Sequence, residues 1–522
     1  MKLSPIVLSL FCQHVTNAMT TSLPKQYFIG FDLGTSGARI SVIEKSNASY
    51  TESHSDSVLY SSYDDPSSWN DAIHTLLQNI PQSLRSSARS ICVSGTSASC
   101  LLVDSVTGEP ARGTRAKMYN YDISQAAETE TETNQQVDPN ISTSPKAIAQ
   151  TQQWIDQYAP KNHAARANTS ALSKLLHYHA SLPISIHNSS SREVLAHQSE
   201  YVASTIFLSS NNEHQRKYVS DWHNALKLGY DVRSLEYPPW LMHCLESIGI
   251  PAYVLPDVVA PGEAIGTVSL DFANLYGFSH ETVLVGGTTD SNAAFIAAAA
   301  AGASGGVPSY GVAVTSLGST LAIKMLSKTF VEDSNRGVYS HRFPILNANA
   351  SKDGNDKTTT DRQEELWLVG GASNVGCAVL RQENFSNEEL MDLSKDMDVS
   401  TDSLLKYYPL TKMGERFPIA DGMKEPVLDP KPDSRQEYLK GVLQGIALVE
   451  VMGFEILGEL GASPSFPNVV MTAGGGSKND AWLQMRERLL KKCSGGDNVT
   501  VRKADNAEAS FGAAILAASR FG

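Results

Sequence analysis

Apolar and β-branched residues gather into two short runs near the start of the chain, Tyr27 to Leu33 and Ala38 to Ile43, joined by Gly34, Thr35, Ser36 and Gly37. Runs of that length across a glycine-bearing turn predict a hairpin. Further strands are predicted at Ser90 to Ser94, Cys100 to Val103, Val283 to Val285, Gly311 to Thr315, Leu321 to Lys324, Trp367 to Val369, Val469 to Thr472 and Val499 to Arg502. Several are followed by apolar residues at helical spacing, and this alternation predicts α/β layers. The run from Tyr438 to Leu460 is strongly apolar at helical spacing and reads as a core helix of the second half, not a membrane or partner segment. Ile123 to Pro145, with its repeated Glu-Thr pairs, and Asn347 to Asp361 read as exposed loops. The segment PDVVAPGEAIG carries two prolines and two glycines at mid-chain, so a hinge is expected there, with the division near Val259.

A length of 522 residues exceeds what a single hydrophobic core usually holds, which sets an expectation of two domains, 27–258 and 259–522, after a leader at 1–26. A cleft between them follows. Apolar residues make up 41% of the chain, enough to fill both cores. The net charge of -13 argues against a nucleic-acid or anionic-membrane partner, since either needs a clustered excess of Lys and Arg. The six cysteines lack metal-ligand spacing and read as free thiols of a reducing compartment. Lys2, the apolar stretch Pro5 to Cys12 and small Ala18 resemble a weak targeting signal, while Met19 is an alternative start. Plastid or cytoplasm is the expected location. Sequons at Asn168 and Asn498 do not decide it.

Four segments carry chemistry. In FDLGTSGARISV an apolar strand delivers Asp32 to a turn of Gly and hydroxyl residues, a setting in which backbone N–H groups face a phosphate and a carboxylate holds Mg²⁺. An Asx turn in an ordinary hairpin has the same appearance. In GGTTDSNAAFIAAAAAG a strand ends just before Asp290, which opens an Ala-rich helix and is either a general base or only a helix cap. GVAVTSLGSTLAIK repeats the hairpin design with Gly318, Ser319 and Thr320 at its turn. VVMTAGGGSKNDAWLQMRERLL places Gly475, Gly476 and Asn479 between a strand and a helix, where glycines allow close approach of a flat ligand such as adenine, or serve packing alone. His177, His179 and His197 have no ligand set around them in sequence and read as structural.

In this order the segments resemble the FGGY family of carbohydrate kinases, within the actin, hexokinase and Hsp70 ATPase superfamily. The likeness runs from about Tyr27 to the end and includes ICVSGTSASCLLVD, SDWHNALKLGYD and AEASFGAAILAA beside the four segments above. It implies an α/β fold of two ribonuclease-H-like domains closing on a nucleotide and a sugar, ATP and Mg²⁺ as cofactors, Asp290 as base and Asp32 near the metal. It further implies Thr35, Ser36 and Gly37 facing the transferred phosphoryl, Gly318, Ser319 and Thr320 holding ATP phosphates, and Gly475, Gly476 and Asn479 bordering the nucleoside. Thr96, Ser97, and Asp221 or Asn224 would line or support the sugar cleft. The wording GTSGAR, VSGTSAS and NALKLGYD is most similar to the ribulose or xylulose kinase branch of plants, algae and cyanobacteria, which implies a ketopentose, D-ribulose first, with D-xylulose or another polyol as the alternative. One departure stands out: Tyr119, Asn120, Tyr121 and Asp122 occupy the place where many members carry an Asp-x-Arg sugar contact. The same superfamily fold serves chaperone and cytoskeletal ATPases, and a non-catalytic sugar sensor is a further alternative. Asp290 in its TTDS setting distinguishes the kinase reading from these.

Overall fold

The structure is a computed structural model that describes residues 25–46, 49–111, 114–125, 145–182, 184, 192–208, 218–302, 308–344, 346, 365–495 and 499–521. The expected leader through residue 24, the polar segment 126–144, the loop 347–361, Cys12 and Asn498 lie outside these residues.

In chain order the strands are β1 (Tyr27–Leu33), β2 (Gly37–Ser46), β3 (Ser49–Leu59), β4 (Ala88–Gly95), β5 (Cys100–Asp104), β6 (Glu193–His197), β7 (Val219–Asp221), β8 (Asp257–Val259), β9 (Ala264–Thr267), β10 (Val283–Thr289), β11 (Val312–Leu317), β12 (Leu321–Ser327), β13 (Val338–Arg342), β14 (Trp367–Ser373), β15 (Val469–Ala473) and β16 (Thr500–Lys503). They form two six-stranded sheets, ordered β3-β2-β1-β4-β10-β9 and β13-β14-β12-β11-β15-β16. In the first, β1 to β3 are antiparallel and β4 and β10 join in parallel. The second repeats this scheme, with β11, β12 and β14 antiparallel and β15 and β16 parallel. The two halves therefore share a five-stranded scheme, to which the first adds β9 antiparallel beside β10 and the second adds β13 antiparallel beside β14.

The division expected at Val259 needs correction. β9 and β10 follow that point yet complete the first sheet, where the backbone of the apolar run ending in Thr289 is satisfied by β4 on one side and β9 on the other. Between the sheets the chain exchanges elements. The helix Asp290–Gly302 leaves β10 and packs on β11 and β15, whereas the helix Ala509–Ser519 leaves β16 and packs on β1, β2 and β4, and the two helices pack on each other. Their small residues permit backbone contact. A Cβ at Gly30 would stand 2.1 Å from the Ser510 carbonyl oxygen, and one at Gly512 would stand 1.8 Å from that of Ala293. Ser90 fixes the second helix further by donating to the Ala517 carbonyl at 2.7 Å.

The helix Arg435–Glu459 fulfils the apolar-run expectation: it is long and apolar enough to cross a membrane but lies against β12 and β14, its face buried in the second core. A charge-paired strut anchors it. Arg486, on the helix Asp480–Cys493, grips Glu450 with two hydrogen bonds of 2.7 and 2.6 Å and reaches Thr472 of β15 at 2.8 Å. Both charged side chains are fully buried, so their pairing must be complete, because a lone charge there would be severely costly. Trp222, Ala225, Tyr230 and Val232 also join this second core although they precede the hinge segment in sequence.

Gly512→Ala is expected to destabilise the protein by on the order of 3–5 kcal/mol, because the two helices would have to separate. Thermal unfolding measures it, and an unchanged midpoint would contradict the close contact.

Candidate functional site

Every segment singled out for chemistry follows the C-terminal end of a parallel strand, where α/β sheets present their loops to ligands. Gly34 to Gly37 follows β1, Thr96 to Ser99 follows β4, Asp290 follows β10, Gly318 to Thr320 follows β11, and Gly474 to Asn479 follows β15.

Asp32 occupies the penultimate position of β1 and is 3% exposed. It accepts a hydrogen bond from Ser94 Oγ at 2.9 Å and faces the Arg39 guanidinium at 3.5 Å. Burial, and next the nearby Asp290 carboxylate, push its carboxyl up to about 6 against the pull of Ser94 and Arg39. Asp290, half-buried, is the first residue of its helix, directly after the end of β10, and its carboxylate accepts the Ser291 amide at 2.6 Å. Burial raises its carboxyl as well, opposed by that amide and by the ammonium groups of Lys324 and Lys227. Lys324, from β12, donates to the Ser291 carbonyl at 3.0 Å, to Ser291 Oγ at 3.2 Å and to Asn292 Oδ1 at 2.8 Å. Burial brings its ammonium down to about 8 and Asp290 resists the change. Lys227 is likewise lowered by burial and supported by Asp290. Two acids thus face three cations.

The two hairpin turns are open at their tips. Thr35 and Ser36 are exposed while Gly34 and Gly37 are buried, and the Gly34 amide closes the turn on the Gly37 carbonyl at 3.0 Å. Ser319 and Thr320 are exposed at the β11–β12 turn, with Arg381 donating to Ser319 Oγ at 3.0 Å. Gly474, at φ +84°, brings the third turn against the second: a Cβ there would meet the Leu317 carbonyl oxygen at 2.7 Å. Gly475 has open space where a side chain would stand, whereas Gly476 packs on Leu317 and Trp482. Asn479 is committed locally, its Oδ1 accepting the Trp482 amide at 3.0 Å and its Nδ2 donating to Ser394 at 2.8 Å. That side chain caps the helix Asp480–Cys493.

On the first-sheet side, the Thr96 hydroxyl sits between Ser99 Oγ at 2.6 Å and Gln198 Oε1 at 2.9 Å, and Ser97 is half-buried at the turn. Asp221 caps the short helix Trp222–Ala225, accepting the His223 and Asn224 amides at 2.9 and 3.1 Å and Asn224 Nδ2 at 2.7 Å. Burial raises its carboxyl to about 6. Asn224 Oδ1 and Gln198 Nε2 are buried without a hydrogen-bond partner among the described residues. Thr96 and Asp221 therefore support the wall, while Gln198 and Asn224 keep polar atoms in reserve. Tyr119, in the departing segment, is 42% exposed, and its amide donates to Ser99 Oγ at 2.8 Å.

The residues that sequence reading left without a role are Arg39, Gln198, His223, Lys227 and Lys324. Three of them, Arg39, Lys227 and Lys324, are the cations inside the quoted segments FDLGTSGARISV, SDWHNALKLGYD and GVAVTSLGSTLAIK. As for a metal, no group of three or more His, Cys, Asp or Glu side chains capable of holding an ion occurs among the described residues. Asp32 is a buried carboxylate, a group able to hold Mg²⁺ together with phosphate oxygens.

Residues 344–521 match the FGGY family of carbohydrate kinases, C-terminal domain. A xylulose kinase of Bacillus subtilis (strain 168) is 26% identical over 282 residues, covering 53% of this chain and 50% of that protein, so the chain spans about half the length of this curated relative. Among solved structures, a gluconate kinase from Lactobacillus acidophilus superposes with a TM-score of 0.66 at 16% identity, covering 95% of this chain and 90% of that one. A ligand-bound xylulose kinase from the same organism gives 0.66 at 17% identity with the same coverage. Plasmodium falciparum glycerol kinase with ADP gives 0.64 at 15% identity, covering 95% and 89%. At such identities the likeness is one of fold, and it extends over both sheets.

The Asp32 carboxyl sits near 6 in the folded chain against an ordinary 3.8, so the folded state holds a proton that the unfolded state releases in that interval. Its contribution to stability consequently becomes less favourable as pH rises from about 4 to about 6 and stays unfavourable above. Asp32→Asn is expected to stabilise the ligand-free protein at neutral pH by on the order of 1–3 kcal/mol, with the gain fading toward pH of about 4. Denaturant unfolding at several pH values measures this, and a gain that does not depend on pH would contradict it.

Proposed function

We infer that this chain, whose residues 344–521 are an FGGY-family carbohydrate kinase domain, transfers the γ-phosphoryl group of ATP to a hydroxyl of a small ketose or polyol. The observation that carries this reading is Asp290: a carboxylate at the end of a first-sheet strand, raised by burial, opposite Asp32 and flanked by ammonium groups from both halves. D-Ribulose is the first candidate, on the motif wording GTSGAR, VSGTSAS and NALKLGYD. D-Xylulose is the second, because the matched curated relative bears that activity in its name.

In this mechanism the sugar lies on the first-sheet side, its reacting hydroxyl within reach of Asp290, which takes the proton as the oxygen attacks phosphorus. A neutral hydroxyl is a weak nucleophile, and a base placed there contributes about 10² to 10⁴ in rate. A carboxylate made more basic by burial suits the task. The exposed turns Thr35 to Gly37 and Gly318 to Thr320 would direct backbone amides at the phosphates, while Arg39 and Lys227 offset charge that an acidic chain would otherwise repel. Asp32 would hold Mg²⁺, directly or through water, and the ion when bound neutralises phosphate charge. Gly475 leaves room for the nucleoside. Gln198 Nε2 and Asn224 Oδ1, polar and unpaired, suit the hydroxyls of a polyol. Closure of the two halves over both substrates would exclude the water that otherwise consumes ATP.

An ADP-release assay with MgATP and a panel of D-ribulose, D-xylulose, sedoheptulose, L-ribulose, glycerol and no sugar tests the reading. Strong stimulation by one ketose is expected, and Asp290→Ala should lower turnover by about 10² to 10⁴ while ATP binding persists. Turnover indifferent to sugar, or near-normal turnover in that variant, would overturn it.

A further inference from the structure

Asp290 belongs to the first sheet by its strand, but the junction that carries it is fastened to the second sheet on both sides. On the upstream side stands His223. Its Nε2 lies 2.6 Å from the Arg342 carbonyl of β13, and its Nδ1 lies 2.7 Å from Thr288 Oγ1, two residues before Asp290. A carbonyl only accepts, so Nε2 carries the proton and Nδ1 accepts from the threonine. Burial drives this imidazole down to about 3, which keeps it neutral and the pattern single-valued. On the downstream side stands Lys324, whose ammonium spends its donors on Ser291 and Asn292. Asn292 is fully buried, its amide oxygen is taken by this lysine, and its amide nitrogen has no other partner among the described residues.

Lys324 also stands four residues past Thr320 on the strand that begins at the exposed β11–β12 turn. A strand advances about 3.3 Å per residue, so a stiff spacer of roughly 13 Å separates that turn from the lysine. One hairpin therefore touches the base-bearing helix at one end and presents the nucleotide-side turn at the other. Resting on the kinase reading above, we propose that Lys324 is a positioning residue that fixes the distance between the Asp290 base and the phosphate turn Gly318 to Thr320, so that catalytic alignment is set by the β11–β12 hairpin. The first sheet supplies the acid and the second sheet holds it in register.

Misplacement of a reacting group by about 1 Å can cost on the order of 10² in rate. Lys324→Met is expected to lower kcat by roughly that factor while KM for sugar and for ATP change less than about threefold, because neither binding surface is removed. Lys324→Arg, which can donate to the same oxygens, should recover kcat to within about tenfold of the unaltered protein. Calorimetric ATP binding and thermal unfolding of both variants accompany the kinetics. Unaltered kcat in Lys324→Met would overturn the proposal. So would a joint loss of kcat, both KM values and thermal stability in both variants, which marks a purely structural lysine. Absence of sugar-dependent turnover in the unaltered protein would remove the kinase reading itself, a result visible before any variant is made.

Discussion

One contact governs the rest of the molecule: the Ala509–Ser519 helix lies so close to β1 and to the Asp290–Gly302 helix that only glycine fits at both crossings. Gly30 meets the backbone at Ser510 and Ala514, and Gly512 meets the backbone at Ala293. Gly30 stands two residues before Asp32, and Ala293 three residues after Asp290. A single small-residue helix, arriving from the far end of the chain, thereby sets where both acids stand. Packing at this density transmits displacement instead of absorbing it. The exchange of helices between the sheets has the same consequence, since neither sheet can shift without carrying part of the other's core.

Around this frame the electrostatics follow from burial. Burial moves the carboxyls of Asp32 and Asp290 upward, and the Asp290 carboxylate raises Asp32 further. Arg39, Lys227 and Lys324 moderate that rise, though none forms a direct ion pair with Asp290. The arrangement leaves a carboxylate made more basic by burial among cations drawn from both halves. In a chain with a net charge of -13 this is a local gathering of positive charge.

Much of this was legible in the sequence, for identifiable reasons. Strands that are buried on both faces announce themselves through continuous apolar runs, so β1, β4, β10, β11 and β15 were readable, along with the turns at their ends. The edge strand β3 was not. Thr51, Glu52, His54 and Asp56 give it a polar surface, and it owes its place to pairing with β2. The division at Val259 misled because proline and glycine mark a loop without saying which sheet the next strand will join. Asn479 was read as bordering a nucleoside, and its role as a helix cap, equally legible in Asn before an apolar helical run, was passed over. His223 was out of reach because its partner carbonyl lies 119 residues away. Lys324 was within a quoted motif, but its role depends on a helix start from the other sheet.

The most direct measurement follows the phosphoryl group itself, using ATP labelled on its γ-phosphate, Mg²⁺ and a ketopentose, with products separated at early times. The account predicts label appearing in a sugar phosphate in step with ADP, with little reaching inorganic phosphate. Label released chiefly as inorganic phosphate, at a rate that ignores the sugar, would contradict it.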